Sequence, residues 1–272
     1  EKIAIVTSKP QTTRTRITGV LTEGEVQLVF IDTPGFHKPK TKLSDQMVKA
    51  VTSSIQDVDL AMLVVEPSGN LNEAERGLIE NIRSQRIPSL LVINKIDLLK
   101  SKEQLAERIA LLMEEYPFDG VVPVSVLNDD GIDRILAELK SRAQEGPHFF
   151  PDDTLTDQPE RVIAAEIIRE KLLLNLQQEI PHGTAVVIEK MRERENQEIM
   201  DVEAMIYCEK SSHKGMIIGK GGGVLKRIAS QARADMEAFL GVHIHLQCWV
   251  KVREDWRNKE LMIKNFGLSD PQ

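Results

Sequence analysis

Cysteine is scarce in this chain. Its 272 residues hold two, Cys208 and Cys248, with no C-x-x-C spacing. Neither a disulfide framework nor a zinc ribbon can be built from that pair, so both read as buried, reduced thiols. Aromatic residues make up 4%, which argues against an RRM-type sheet of stacking rings. Long apolar runs are missing too: the longest, Leu60 to Val65, has six residues, against roughly 20 for a membrane-spanning helix. Residues 1–20 contain no long apolar stretch of a signal peptide, and a cytosolic protein is the default expectation. An overall excess of positive charge is also lacking, since the net charge is −7. Its distribution is uneven. Residues 1–182 hold 21 basic and 29 acidic side chains, and residues 183–272 hold 14 and 13. The window Lys210 to Arg227 contains Lys210, Lys214, Lys220, Lys226 and Arg227 and no acid. A nucleic acid, if bound, is expected there.

What is present is enough for ordinary cores: 41% hydrophobic and 28% charged residues, in a length that predicts about two domains. Through residues 1–145 short apolar runs alternate with amphipathic stretches, the pattern of a parallel sheet flanked by helices. Strands are expected at Val26–Asp32, Leu60–Glu66, Ser89–Asn94 and Val121–Ser125, and ligands of such folds collect at the strands' carboxyl ends. Capping-box spacings at Asn72-x-x-Glu75 and Ser101-x-x-Gln104 predict helices over Ala74–Arg83 and Gln104–Glu115, with another over Ile132–Arg142. Residues 145–154 mix proline, glycine and acids and read as a linker, placing a domain boundary near residue 150. Asp157 then reads as the cap of a helix from about Pro159 to Gln178. Thr184–Lys190, Met200–Cys208 and Val242–Val252 are strand-like, Val224–Leu240 is helical, and the second unit, 151–272, is α+β.

Four motifs in the first unit carry chemistry. Asn94-Lys95-Ile96-Asp97 follows an apolar strand directly. An Asp at that loop tip can accept two hydrogen bonds from the edge of guanine that adenine lacks, while Asn94 braces the loop and the Lys95 stem covers a ring face. Charge-assisted bonds of this kind contribute about 1.5–3 kcal/mol each. An ordinary strand-to-helix turn would also use Asn and Asp. Asp32-Thr33-Pro34-Gly35 closes another strand. Its carboxylate can hold Mg²⁺ through water, and Gly35 lets a backbone N–H approach a γ-phosphate. Upstream, Gln11-Thr12-Thr13-Arg14 supplies a hydroxyl for Mg²⁺, and downstream the backbone N–H of Ser125 or Val126 can meet guanine O6. The four follow one another along the chain, each at a strand end or in a loop.

With these motifs the chain resembles the translation-factor-related GTPases and, within them, the Era family. The resemblance runs from Lys2 to about Gly267. It implies an α/β P-loop-NTPase-like G domain over 1–150, incomplete at its N-terminus, followed by a KH domain over 151–272. By the resemblance Thr13 and Asp32 hold Mg²⁺, Thr12 belongs to the same loop, Thr33, Pro34 and Gly35 face the γ-phosphate, and Asn94, Lys95, Asp97, Ser125 and Val126 read guanine. Val126 stands where the family usually has alanine. A larger departure is that GxxxxGK[ST], the loop whose amides and lysine hold the β- and γ-phosphates, occurs nowhere in the 272 residues. The expectation is that a preceding segment supplies it, because guanine-reading motifs would be idle without phosphate binding. As it stands, the chain is expected to bind GTP poorly and hydrolyse it negligibly. Phe36 occupies the position of the water-orienting glutamine of Ras-like enzymes. It implies slow intrinsic turnover aided by a cation or partner, or a packing role. His37 is a weaker candidate for a base.

In the second unit, Met216-Ile217-Ile218-Gly219-Lys220-Gly221-Gly222 precedes an amphipathic helix. A GxxG turn brings bare backbone to a sugar-phosphate chain, Lys220 adds charge, and Ile217, Ile218, Val224, Leu225 and Ile228 are expected to line a groove for unstacked bases. Lys214, Lys226 and Arg227 complete the expected RNA contact. The plainer reading is a helix N-terminus that holds any anion. His243 and His245 share a strand face and read as alternating strand residues. Trp249 and Trp256, with Lys251 and Arg253, resemble the family's C-terminal region that reads nucleotides. The family's role implies GTP/GDP and Mg²⁺ as ligands, the 3′ end of small-subunit rRNA and the small ribosomal subunit as partners, and assistance in that subunit's maturation with GTP hydrolysis as the switch. It further implies a monomer with weak membrane-surface association. The competing expectation is a non-enzymatic RNA-binding adaptor whose G-domain remnant only scaffolds.

Overall fold

The computed structural model describes residues 3–7, 9, 12–35, 39–55, 58–195 and 197–269. Its first element is a hairpin, β1 (Ile17–Glu23) with β2 (Val26–Asp32), paired antiparallel over seven residues. Gly24, at φ 63°, makes the two-residue turn possible. β2 has the expected limits, but its partner is this hairpin strand and not the parallel sheet, because a tight turn leaves antiparallel pairing as the only geometry. Helix α1 (Lys42–Ser54) follows, capped by the Thr41 hydroxyl, which accepts the Ser44 N–H. It buries Leu43, Met47, Ala50 and Val51 on one face.

The parallel sheet has the order β3 (Ala61–Val65), β4 (Ser89–Ile93), β5 (Gly120–Pro123), with α2 (Glu73–Gln85) and α3 (Lys102–Glu115) as crossovers and α4 (Ile132–Lys140) after β5. Every residue of β4 is buried. Leu91 and Ile93 pack with Ile79, Ile82, Leu112 and Phe118, while Leu90 and Val92 pack with Val122, Val124, Ile135 and Leu139. A central strand covered on both faces has to be apolar throughout. The Asn72–Glu75 capping box forms as its spacing predicts. The second one does not. The Ser101 hydroxyl makes no cap bond, and the Gln104 amide oxygen accepts the Lys100 N–H instead.

The remaining elements are α5 (Glu160–Asn175), β6 (Ala185–Glu193), β7 (Ile199–Cys208), α6 (Ser211–Ile218), α7 (Gly223–Leu240), β8 (His243–Val252) and α8 (Glu260–Asn265). β6 and β7 are antiparallel, and β7 and β8 are parallel. Met200, Val202, Ala204, Ile206 and Cys208 alternate inward along β7 to meet Ile163, Ile167, Ile168 and Leu172 of α5 and Ile228, Ala232 and Met236 of α7. α5 begins after Pro159, which leaves Asp157 outside the helix with no capping role.

Two features tie the halves together. The stretch read as a linker is strapped across the hairpin: Gln27 accepts the N–H groups of Phe149 and Phe150 at 2.8 and 3.0 Å and donates to Phe150 O, the Val20 N–H donates to Leu155 O, and the Thr156 hydroxyl donates to Thr18 O. The second is an apolar cluster of Leu43 and Met47 from α1 with Ala185, Trp256 and Ile263. Trp256 is fully buried. It donates Nε1–H to Gly183 O at 2.9 Å and meets Phe266 edge-on at 5.3 Å. The expectation of Trp256 as a nucleotide reader is thereby corrected, since its ring is core. Among the described residues no helix is long and apolar enough to cross a membrane.

Trp256→Ala should cost about 3–5 kcal/mol of stability, the range for deleting a buried aromatic ring. Trp256→Phe should cost about 1–3 kcal/mol through the lost bond to Gly183. Urea denaturation measures both. A loss below about 1 kcal/mol for the alanine variant would mean that the cluster does not hold the halves together.

Candidate functional site

The carboxyl ends of β3, β4 and β5 are laced by backbone bonds. Asn94 N–H donates to Val65 O, Val124 N–H to Ile93 O and Ile96 N–H to Val124 O. Lys95 adopts a left-handed conformation, φ 65°, which turns the chain out of the strand within one residue. On this frame the Asn94 carboxamide oxygen accepts the N–H of Lys95 at 2.7 Å and that of Val126 at 3.1 Å, joining the loop after β4 to the loop after β5. Ser125 is buried, and its hydroxyl donates to Asp97 Oδ1. Asp97 and Val126 are exposed. Asn94, Asp97, Ser125 and Val126 thus converge from two loops 30 residues apart. Lys95 joins them with its ammonium on Glu66 Oε1 at 2.6 Å.

Glu66 and its support were not foreseen. The Glu66 carbonyl and the Gly69 carbonyl are held by Arg108, whose guanidinium also pairs with Glu75 in a buried contact. Arg108 lies on an otherwise ordinary amphipathic helix, so no local pattern distinguishes it from a solvated arginine. Leu98 and Leu127, beside the converging loops, are exposed apolar residues that were likewise not singled out.

On the hairpin side, the Thr13 hydroxyl donates to Asp32 Oδ2 at 2.9 Å. The outer side of Asp32 is open, yet partial burial of its carboxyl raises the pKa above the ordinary carboxylate value, against hydrogen bonds from Thr13 and the Thr33 backbone. Thr12 is not part of this pair. Its hydroxyl donates to Lys9 O and shares a bond with the Thr7 hydroxyl. Thr33 is half-buried, Pro34 buried and Gly35 exposed. A Cβ built at Gly35 meets no atom within 4 Å. Gln11, Phe36 and His37 lie outside the described residues.

The glycine turn lies between α6 and α7 as its sequence predicts. Gly219 ends α6 at φ 71°, and a Cβ there would lie 2.4 Å from Val224 Cγ2. Gly221 and Gly222, at φ 58° and 76°, would meet nothing. Gly219 is therefore glycine for packing, whereas the next two present bare, left-handed backbone to solvent. Lys220, Lys226 and Arg227 are exposed around the turn, Lys214 and Ile218 half-buried. Ile217 and Ile228 are fully buried in the core, which corrects their expected place on the groove: the inward stripe of α6 and α7 faces the sheet, and a base cannot reach it. Arg227 Nε donates to Asn175 Oδ1 at 2.8 Å.

His243 and His245 do project from one strand face. His245 Nδ1 lies 2.8 Å from Asp201, whose carboxyl is held well below the usual range by Arg194 first and His245 second. Burial pushes the Cys248 thiol up to about 12 and raises that of Cys208 as well. Neither thiol is poised as a nucleophile.

Comparison with known proteins agrees with this geometry. The 50S ribosome-binding GTPase family matches residues 1–95, and the KH domain family matches residues 179–257. GTPase Era of Clostridioides difficile is 51% identical over 99% of this chain and 91% of its own length. That of Thermoanaerobacter sp. is 46% identical over 99% and 89%. A crystal structure of an Aquifex aeolicus Era variant bound to GDP and AlF4− superposes with a TM-score of 0.94 at 31% identity, covering 98% of this chain and 91% of that one. An Era complex with MgGDPNP and nucleotides 1506–1542 of 16S ribosomal RNA matches with the same score, identity and coverage. With relatives this similar along nearly its whole length, an α/β G domain ahead of a KH domain, and the glycine turn between α6 and α7, the chain belongs to the Era family of GTPases.

Proposed function

We propose that this protein is a GTP-hydrolysing switch that binds the 3′ region of small-subunit rRNA through its KH domain and assists maturation of the small ribosomal subunit. The observation that carries the nucleotide half is the convergence of Asn94, Asp97, Ser125 and Val126 from two loops. Asp97 takes the N1–H and N2–H₂ groups of guanine, Lys95 covers a ring face, and the backbone N–H of Ser125 or Val126 meets O6. Thr13 and Asp32 offer two hard oxygens 2.9 Å apart, a donor set that suits Mg²⁺. When bound, the ion would neutralise charge on the transferring phosphate. Thr33, Pro34 and Gly35 line the γ-phosphate side, and Thr12 shapes the loop that presents Thr13. The RNA half rests on Gly219, Lys220, Gly221 and Gly222, with Lys214, Ile218, Lys226 and Arg227 around them. The Era complex containing a 16S rRNA fragment supports that assignment. The domain boundary falls near residue 150, within the strapped segment. The protein works in the cytoplasm as a monomer with weak contact at the membrane's inner face. Sedimentation and vesicle flotation test the last two points.

Asp97→Asn, made in the natural full-length protein, should weaken GTP binding by about 10- to 100-fold, the loss of one charge-assisted pair. It should shift preference to xanthosine triphosphate, whose C2 carbonyl accepts from the new amide. Continued preference for GTP in a competition titration would sink the guanine assignment.

Gly221→Asp keeps the left-handed backbone, which Asp tolerates, while setting a carboxylate beside the phosphates. RNA affinity should fall at least about tenfold at both low and high salt. Unchanged affinity by fluorescence anisotropy would remove the glycine turn from the RNA site.

A further inference from the structure

Helix α3 carries none of the residues assigned to the nucleotide, yet it sends one cation into the frame beneath them. The Arg108 side chain is 3% exposed. All three of its nitrogens are bonded: Nε donates to Glu66 O at 3.2 Å, Nη1 to Gly69 O at 3.0 Å, and Nη2 to Glu75 Oε1. A guanidinium out of water needs such partners, and its planar fork meets several acceptors at once. Two of the acceptors are carbonyls of the turn that follows β3. The third belongs to the carboxylate whose other oxygen accepts the Asn72 N–H at 3.0 Å and closes the capping box of α2. One side chain therefore joins the start of α2, the turn over residues 66–69 and α3.

What that turn carries is the Glu66 carboxylate, whose Oε1 lies 2.6 Å from Lys95 Nζ. The backbone is fixed on both sides of this pair. Glu66 is held by Arg108, and Lys95 by the bond from the Asn94 N–H to Val65 O and by its own left-handed turn. Both side chains are exposed, so the pair itself adds little to stability. Its consequence is order. Lysine has a flexible four-carbon stem, and an ammonium held at one fixed oxygen restricts that stem before a ligand arrives. In the proposed function this stem is the wall against which the purine ring lies.

We infer that Arg108 is a positioning residue for the nucleotide: by holding the turn over residues 66–69 it sets the Glu66 carboxylate beside Lys95, and that pair preorganises the Lys95 stem as one wall of the purine slot. The inference rests on the reading of Asn94–Asp97 as the guanine loop given above. The stem meets a ring face that every purine presents, so the Arg108–Glu66–Lys95 chain raises affinity for purine nucleotides without choosing among them. Choice stays with Asp97. Ordering one rotamer-rich side chain in advance is worth about threefold to tenfold in affinity.

The test measures Kd for GDP and for IDP, which lacks guanine's exocyclic amino group, and kcat with GTP, all in the natural full-length protein. Glu66→Gln, at an exposed position, should raise both Kd values about threefold to tenfold, keep their ratio within about twofold and leave kcat unchanged. Glu66→Asp keeps a carboxylate within reach of the flexible lysine and should bind within about twofold of the unaltered protein. Arg108→Lys keeps the charge but loses the fork, and its Kd values should rise as those of Glu66→Gln do. Combining Arg108→Lys with Glu66→Gln should weaken binding no further than the weaker single variant, because both changes break one chain. The inference is overturned by losses that multiply in the double variant, by a Glu66→Gln protein that binds as tightly as the unaltered one, or by a Glu66→Asp protein as weak as Glu66→Gln. Should Arg108→Lys fail to fold, the two Glu66 variants decide the matter alone. Each of those results leaves the functional reading standing if Asp97→Asn moves preference to xanthosine triphosphate. A full-length protein with no preference for guanine nucleotides overturns both.

Discussion

A run of charged residues sealed inside a helix is the constraint on which the two halves of this protein depend. Arg169, Glu170 and Lys171 sit at the middle of α5, where isolated charges would cost several kcal/mol apiece. They are tolerated because each finds a partner on a different element: Arg169 pairs with Glu166 and holds Thr12 O, Glu170 takes the Val6 amide, and Lys171 reaches Asp235. The apolar residues of the same helix, Ile163, Ile167, Ile168 and Leu172, complete the core beneath β7 and α7. The helix therefore acts as a wall with one polar seam on each side, and a shift of either neighbour would give up bonds that the helix makes to it.

A further buried cation works by the same logic. Arg14 ends the segment that presents Thr13, and its guanidinium is buried against the carbonyls of His182 and Thr184, just ahead of β6. Burial and then repulsion from Arg169 push its pKa down to about 9, against attraction from Glu166, so it remains a cation at neutral pH. The aromatic cluster around Trp256 and the strap over Gln27 add two more contacts between the halves. The nucleotide side and the RNA side are consequently held by polar bonds of fixed direction as well as by apolar area. Directional bonds of that kind permit a small number of discrete arrangements.

At the loops after β2 and β4 the local pattern was legible in the sequence because it is contiguous. Asn94 to Asp97 and Asp32 to Gly35 follow apolar runs at once, and the end of β4 thereby lies at the carboxyl edge of the parallel sheet. The glycine turn is equally local: left-handed φ angles at 219, 221 and 222 require glycine wherever the turn sits. Less was legible where a side chain's meaning depends on a distant partner. Ile217 and Ile228 carry the same apolar letter as Ile218, and only packing against the sheet separates core from groove. Trp256 looked like a reading surface because aromatic rings serve both uses, until Gly183 and Phe266 enclosed it. The hairpin and α1 escaped notice for a different reason. β1 mixes polar and apolar residues without strict alternation, and α1 has only a narrow apolar stripe whose cover comes from Trp256 and Ile263, more than 200 residues away.

The amino-acid sequence alone determined the family, the order of its two domains, the Asn94–Asp97 loop and the glycine turn, and most strand and helix positions, because each depends on neighbours within a dozen residues. Tertiary structure alone decided which threonine meets Asp32, which isoleucines a base could touch, and that Arg14, Arg108 and the charges of α5 lie inside the protein. Those outcomes depend on the pairing of groups 19 to 170 positions apart. A buried charge has no local signature, since the same residue on a solvated helix face would leave the sequence pattern unchanged.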